Sequence, residues 1–195
     1  MKTETLIISI AIVILIMLLG VVRIYNRLVK FEEDVKTSWS QVETQYQRRA
    51  DLIPNLVNTV KGYAQHERET LEEVINARAS ATNTQVNIDN IDENILAQYQ
   101  NMQDQLSKAL SRLLLVIERY PDLKANENFI SLQSQLESTE NRIAYERRRF
   151  NEAAKEYNTY VRRFPTNLFA RLFNFTEKPY FKSVEGAKDA VEVNF

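Results

Sequence analysis

LIISIAIVILIMLLGVV, Leu6 to Val22, decides how this chain must be read. The run has no charge, and Ser9 is its sole polar side chain. Counted on to Tyr25 it gives about 20 residues, and at about 1.5 Å rise each a helix of that length spans roughly 30 Å, the thickness of a bilayer's hydrocarbon core. Each central Leu, Ile or Val favours insertion by roughly 0.3 to 0.6 kcal/mol. A cleaved signal peptide would carry a shorter apolar stretch ending in small residues, and Gly20-Val21-Val22-Arg23 offers no such site. The expectation is an uncleaved anchor within residues 1–23. Arg23, Arg27 and Lys30 follow the span, whereas Lys2 with Glu4 nearby precedes it, so the positive-inside bias puts the remaining chain in the cytoplasm.

Outward from the anchor the same helical phase continues. Apolar residues recur at Ile24, Leu28, Phe31, Val35, Trp39, Val42, Tyr46, Ile53, Val57, Val60 and Ala64, then Leu71, Val74 and Ile75. Steps of three and four are the seam of a helix packed on other helices. Pro54 interrupts the run without shifting its phase, which predicts a kink rather than a reversal. A helix over 24–79 would be about 85 Å long. It would outrun its later partners, so part of it would act as a stalk or seek another surface.

Residues 80–92, SATNTQVNIDNID, read as a loop, with Asn90 and Glu93 resembling a capping box for a helix over 93–120. That helix carries Leu96, Tyr99, Met102, Leu106, Leu110, Leu113 and Ile117 and stops at Pro121. Asn126 caps a third, over 126–164, with a seam from Phe129 through Leu136, Ile143, Phe150 and Tyr157 to Phe164. TNLFARLFNF, 166–175, predicts a short amphipathic helix capped by Thr166 or Asn167. Three glycines and four prolines are too few for a sheet protein's turns. The fold expected is all-α: an anchor over 1–23, an antiparallel bundle of three long helices over 24–165, and a short helix with a tail over 166–195.

Composition narrows the chemistry. Net charge is −1 with both signs interspersed, which excludes nucleic acid as the main partner. There is no cysteine, and His66 is the one histidine, so thiolate chemistry and a histidine–carboxylate metal centre lack their residues. Gly20, Gly62 and Gly186 stand alone, so no glycine-rich phosphate loop exists. No catalytic, cofactor-binding or metal-binding residue is expected, and the chain reads as a non-enzyme.

Several motifs carry a resemblance: Tyr25 to Val29, Arg48 to Val57, Lys61 to Ala64 with His66-Glu67, and Asn76 to Arg78 in the first half. In the second are Tyr120 to Asn126 with Phe129, Leu136 to Ala144, Arg149 to Asn151, Tyr157-Asn158 and Phe164-Pro165. The chain resembles the LemA family of bacterial membrane proteins over nearly its whole length. The resemblance implies a helical bundle on one N-terminal span in the bacterial cell (inner) membrane, with the C-terminal domain cytoplasmic. It implies no reaction, substrate or catalytic residue.

Polar residues near helical seams remain to be placed. Arg49, Asp51, Glu140 and Arg147 are read either as a polar pocket between helices or as a buried network that fixes helix register. Arg49 is expected to pair with Glu140. Leu168, Phe169, Leu172, Phe173 and Phe175 form an apolar segment that could cap the bundle, lie on the membrane or dock on another subunit. Beside the lipid bilayer the expected partner is a second copy of the chain, giving a self-associating scaffold. The alternative is a tethered adaptor for a different membrane or cytoplasmic protein.

Overall fold

The computed structural model describes residues 2–64, 66–84 and 86–182. Six α-helices are described: α1 (Lys2–Lys61), α2 (Arg68–Asn83), α3 (Glu93–Ile117), α4 (Pro121–Lys124), α5 (Glu127–Arg162) and α6 (Thr166–Leu172). The fold is all-α, as the seams predicted. At about 1.5 Å per residue α1 is roughly 90 Å long, its first third the apolar run, which no other element among the described residues covers.

One expectation fails: the run over 24–79 is two helices. The chain reverses after Lys61, and α2 descends along α1. Gly62-Tyr63-Ala64 makes the turn, where the Tyr63 and Ala64 amides both donate to the Val60 carbonyl. The apolar spacing survives the turn because both helices bury the same side of one core, so periodicity alone cannot see the break. The stalk inferred from an over-long helix therefore does not exist. Pro54, in contrast, lies inside unbroken helix.

Pro54 explains a contact elsewhere. A helical residue at 54 would donate its N–H to the carbonyl of Ala50, and proline has none to give. That carbonyl belongs to a buried residue. Arg78, on α2, donates Nε–H to it at 2.7 Å. The bond broken by the proline in α1 is replaced by one that staples α2 to it.

The bundle runs up, down, up, down. Phe31 meets Tyr160 and Trp39 meets Phe150, so α5 is antiparallel to α1. Arg112 pairs with Glu73 at 2.9 Å, and Thr84 lies against Met102, so α3 is antiparallel to α2. Asp92, through an Oδ1 that accepts from the Ile95 amide at 2.7 Å, caps α3. Asn90, expected in that role, ends a short 3-10 turn over Ile88–Asn90. Asn126 caps α5 as read, accepting from the Phe129 amide at 3.1 Å. α6 has Pro165 at its cap, with no side-chain bond, in place of Thr166 or Asn167.

Two apolar clusters make the core. The distal one joins Ile53 to Ala64, the buried face of α2, Leu106 to Ile117 of α3, Phe129 and Leu136. The proximal one, towards the apolar span, joins Leu28 to Tyr46, Leu96, Tyr99, and Ile143 to Val161. α2 does not reach this half. The loop after it and an extended strap, residues 176–182, close the core instead. Phe181 of the strap stacks on Trp39 at 5.9 Å and meets Phe150 edge-on at 5.4 Å.

Side-chain amides hold that strap as a neighbouring strand would. Asn158, itself buried, donates to the Lys178 carbonyl at 2.8 Å and accepts from its amide at 2.8 Å. Asn151 does the same for Phe181, at 3.0 and 2.8 Å, and Gln100 for Lys182, at 2.9 and 3.2 Å. Residues 176–182 thus belong to the bundle rather than to a separate tail. The tail beyond, 183–195, lies outside the described residues.

Candidate functional site

Between the two apolar clusters lies a polar layer centred on Arg49, whose side chain is 1% exposed. The α1 seam brings it inward, one turn beyond Tyr46 and one before Ile53. Its Nη1 donates to Glu140 Oε1 and to Ser107 Oγ, each at 2.7 Å. Its Nη2 donates to the Gln103 side-chain oxygen at 2.6 Å and to the Gln103 carbonyl at 3.1 Å. Gln103 Nε2 in turn donates to the Ala81 carbonyl at 3.1 Å. That carbonyl is in the last turn of α2, where no helical amide remains to serve it. One arginine thereby ties α1, α2, α3 and α5 at a single height.

A second layer lies one turn nearer the span. Arg147 Nε donates to the Tyr46 hydroxyl at 2.5 Å, and its Nη2 reaches Asp104 Oδ1 at 3.2 Å. The Arg147 guanidinium also faces the Phe181 ring at 5.2 Å, and both it and Arg49 lie 5.4 Å from the Tyr46 ring. Two cations are matched by two carboxylates, Glu140 and Asp104, so the layers are close to neutral. Burial pushes the Tyr46 hydroxyl up from its ordinary value, opposed by the charge of Arg147. Tyr99 is pushed up by burial as well.

The layer's polar atoms are largely engaged with one another. Nearly every polar atom facing Arg49 has a protein partner in hydrogen-bonding geometry, and Arg49 Nε is its one buried donor without an acceptor. Glu140 is 42% exposed and opens to a groove of about 530 Å³ between α3 and α5, lined also by Lys108, Arg112, Leu115 and Ala144. Truncating a partner of a buried charge costs about 3 to 5 kcal/mol, which makes such a layer a strict gauge of helix register.

The structure brings together Arg49, Glu140 and Arg147 from the residues read in the sequence, but not Asp51. Asp51 is exposed, accepts from Gln47 one turn back at 2.8 Å, and lines the opposite side of the bundle. Two residues beyond Arg49 and two before Ile53, it lies about half a turn off the seam. There it borders a groove of about 860 Å³ with Glu43, Arg48, Thr82 and Tyr99. Burial raises the Glu43 carboxyl above its usual value, partly offset by the Trp39 indole N–H. Gln103, Ser107 and Asp104 went unread. The signal was present: Gln103, between Tyr99 and Leu106, holds the seam position that was assigned to Met102.

Of the apolar C-terminal residues, Phe175 packs against the proximal cluster, while Leu168 and Leu172 are exposed. α6 buries Thr166 and Ala170 instead. Glu67 has a separate duty, accepting from Arg119 at 2.9 Å and from the Tyr120 hydroxyl at 2.8 Å to close the distal turns on each other.

With this geometry established, comparison with known proteins gives the chain its relatives. Magnetosome protein MamQ 2 of Paramagnetospirillum magneticum is 26% identical over 175 residues, covering 81% of this chain and 64% of its own length. Magnetosome protein MamQ of Magnetospirillum gryphiswaldense is 25% identical over 174 residues, covering 80% and 64%. Protein LemA of Metamycoplasma hominis is 23% identical over 160 residues, covering 82% and 69%. The chain thus spans less than two thirds of the length of these MamQ relatives. The sequence pattern of the LemA family matches residues 38–195, which include the whole arginine layer, the amide clasps and the Pro54–Arg78 staple. This chain belongs to the LemA family.

Proposed function

We propose that the chain is a membrane-anchored helical-bundle scaffold that self-associates and performs no chemistry of its own. The observation that carries this reading is α1. The apolar span and the central helix of the bundle are one unbroken element, so the bundle stands on the membrane as a post rather than swinging on a linker. The buried cations are spent on internal partners, which supports a structural duty over a catalytic one. Relatives whose names record a magnetosome rather than a reaction fit the same view. Arg23, Arg27 and Lys30 after the span support a bundle on the cytoplasmic side of the cell (inner) membrane.

Self-association draws support from the open side of the bundle. α1 pairs closely with α5, and α2 with α3, whereas α3 and α5 are bridged mainly by long side chains with the groove between them. Leu115 on its edge is 72% exposed. Leu115→Glu should therefore weaken self-association. In nanodiscs, differently tagged copies should co-purify, and the wild-type particle should have the mass of more than one copy. A strictly monomeric particle refutes the scaffold reading.

The second reading, an adaptor for a different protein, is favoured by the 860 Å³ groove between α1, α2 and α3, where Glu43, Arg48 and Asp51 present both signs of charge. Stoichiometric capture of another protein, lost on Arg48→Glu, would support it.

A further inference from the structure

We propose that α6 is a second membrane contact, its exposed face lying in the headgroup layer of an anionic bilayer beside the point where α1 emerges. The proposal rests on the membrane-anchored reading above and adds a surface to it. Because the bundle has an even number of long helices, α5 returns the chain to the end from which α1 set out. Phe173, just past α6, meets the Tyr25 ring edge-on at 5.1 Å, and Phe175 meets it at 5.9 Å. Tyr25 stands three residues beyond Val22, the last residue of the apolar run, or roughly 5 Å along the helix. The headgroup layer on each side of a bilayer is about 5 to 7 Å deep. α6 is therefore held at the depth of that layer.

Its two faces are unlike. Thr166 and Ala170 turn into the bundle, and Leu168 and Leu172 turn away, 58% and 71% exposed. Phe164, at 76%, extends the same apolar surface ahead of the helix. A soluble bundle gains nothing by leaving these side chains in water, and aromatic residues are enriched at membrane interfaces.

Charge identifies what covers them. Residues 21–31 and 161–175, which the fold brings side by side, contain Arg23, Arg27, Lys30, Arg162, Arg163 and Arg171 and no acidic residue. Arg27 lies over the Phe31 and Tyr160 rings, and Arg162 has a loose pairing with Glu177 at 3.9 Å. This basic collar surrounds an apolar patch in a chain whose net charge is only −1. Long basic side chains reaching headgroup phosphates around inserted apolar residues are the pattern of an interfacial helix.

The test uses the full chain in nanodiscs of phosphatidylcholine, with or without phosphatidylglycerol, with bromine on the acyl chains near the headgroup. Bromine quenches only tryptophans it can touch. The native Trp39, roughly 25 Å beyond the apolar run, gives the unquenched baseline. Val22→Trp reports the anchor and Leu168→Trp reports α6; both sites are exposed, so neither substitution disturbs the core. Quenching of the Leu168→Trp protein like that of Val22→Trp, stronger in anionic discs and reduced by Arg163→Gln with Arg171→Gln, is the expected result. An unquenched Leu168→Trp beside a quenched Val22→Trp overturns the proposal and leaves the anchor standing. The same holds if its emission is blue-shifted but unquenched, the sign of a protein surface as the cover. Quenching that ignores lipid charge overturns the anionic assignment. An unquenched Val22→Trp overturns the anchor and this proposal together.

Discussion

The staple between Arg78 and the Ala50 carbonyl makes a sharp prediction, because its reason for existing can be removed. Arg78→Met keeps most of the apolar stem of a half-buried side chain and deletes the donor. The carbonyl, in a buried residue, is left without a partner at a cost of about 1 to 3 kcal/mol. Pro54→Ala returns a backbone N–H to position 54, directly in line with that carbonyl. In the Pro54→Ala background the same Arg78→Met change should cost about 0.5 kcal/mol or less, since the acceptor is already served. The coupling expected from the four proteins is thus about 0.5 to 3 kcal/mol. Denaturant unfolding of the detergent-solubilised chain, followed by helical circular dichroism, would measure it. For a domain of this size each kcal/mol moves the melting point by about 2 to 4 °C, so thermal scans resolve it too. Equal Arg78→Met penalties in the two backgrounds, to within about 0.3 kcal/mol, would refute the idea that the arginine replaces the proline's missing bond.

Other expectations follow from the layers and the strap. Arg49→Ala should destabilise by about 3 to 5 kcal/mol, and Glu140→Gln, which keeps an acceptor but strips the buried Arg49 cation of its counter-charge, by about 1.5 to 3 kcal/mol; a loss below about 0.5 kcal/mol for either in denaturant unfolding would contradict the geometry. Asn158→Ala removes two bonds to the Lys178 backbone and one to the Tyr180 hydroxyl, so a loss of about 2 to 3 kcal/mol is expected, with earlier protease cleavage within 176–182. Burial raises the hydroxyls of Tyr46, Tyr99 and Tyr157 above the unfolded tyrosine value near 10. Their contribution to stability is complete below that value and is lost as pH rises through it, because the unfolded chain then sheds protons that the native one keeps. An ultraviolet titration should show these three ionising together with unfolding, and independent ionisation in the folded bundle would count against their burial.

Much of this architecture was written in spacing that a reader can count. The span, the three seams and the Asn126 cap follow from residue period and type, and the antiparallel return of α5 from the short connection at Pro121. What spacing hid was direction. Ala64 and Leu71 keep the phase of Val57 and Val60, yet the chain has turned around between them, because a buried position on either strand of a helical hairpin looks alike from sequence. Pro54 drew attention as the breaker while Gly62-Tyr63, less conspicuous, made the turn. Pairing across the core was legible only where opposite charges fell on seams, as with Arg49 and Glu140. Gln103 holds a seam position but is easily passed over: uncharged and beside a methionine, it looks like the solvated neighbour of an apolar position. The clasps on residues 178–182 could not be foreseen, since an amide that mimics a strand partner has no period.

Arg49 and Glu140 are 91 residues apart, and this separation sets an order of events. At about 5 to 20 residues per second, a ribosome completes α5 some 5 to 20 seconds after α1. Meanwhile α2 and α3 can pair with each other, yet the inward ridge of α1 has no lasting cover, and Trp39 lacks the ring of Phe181 until the strap emerges. A nascent chain would thus leave half a core uncovered in that interval. Early truncation, or a chaperone withheld during that interval, should harm this protein more than its mature stability suggests.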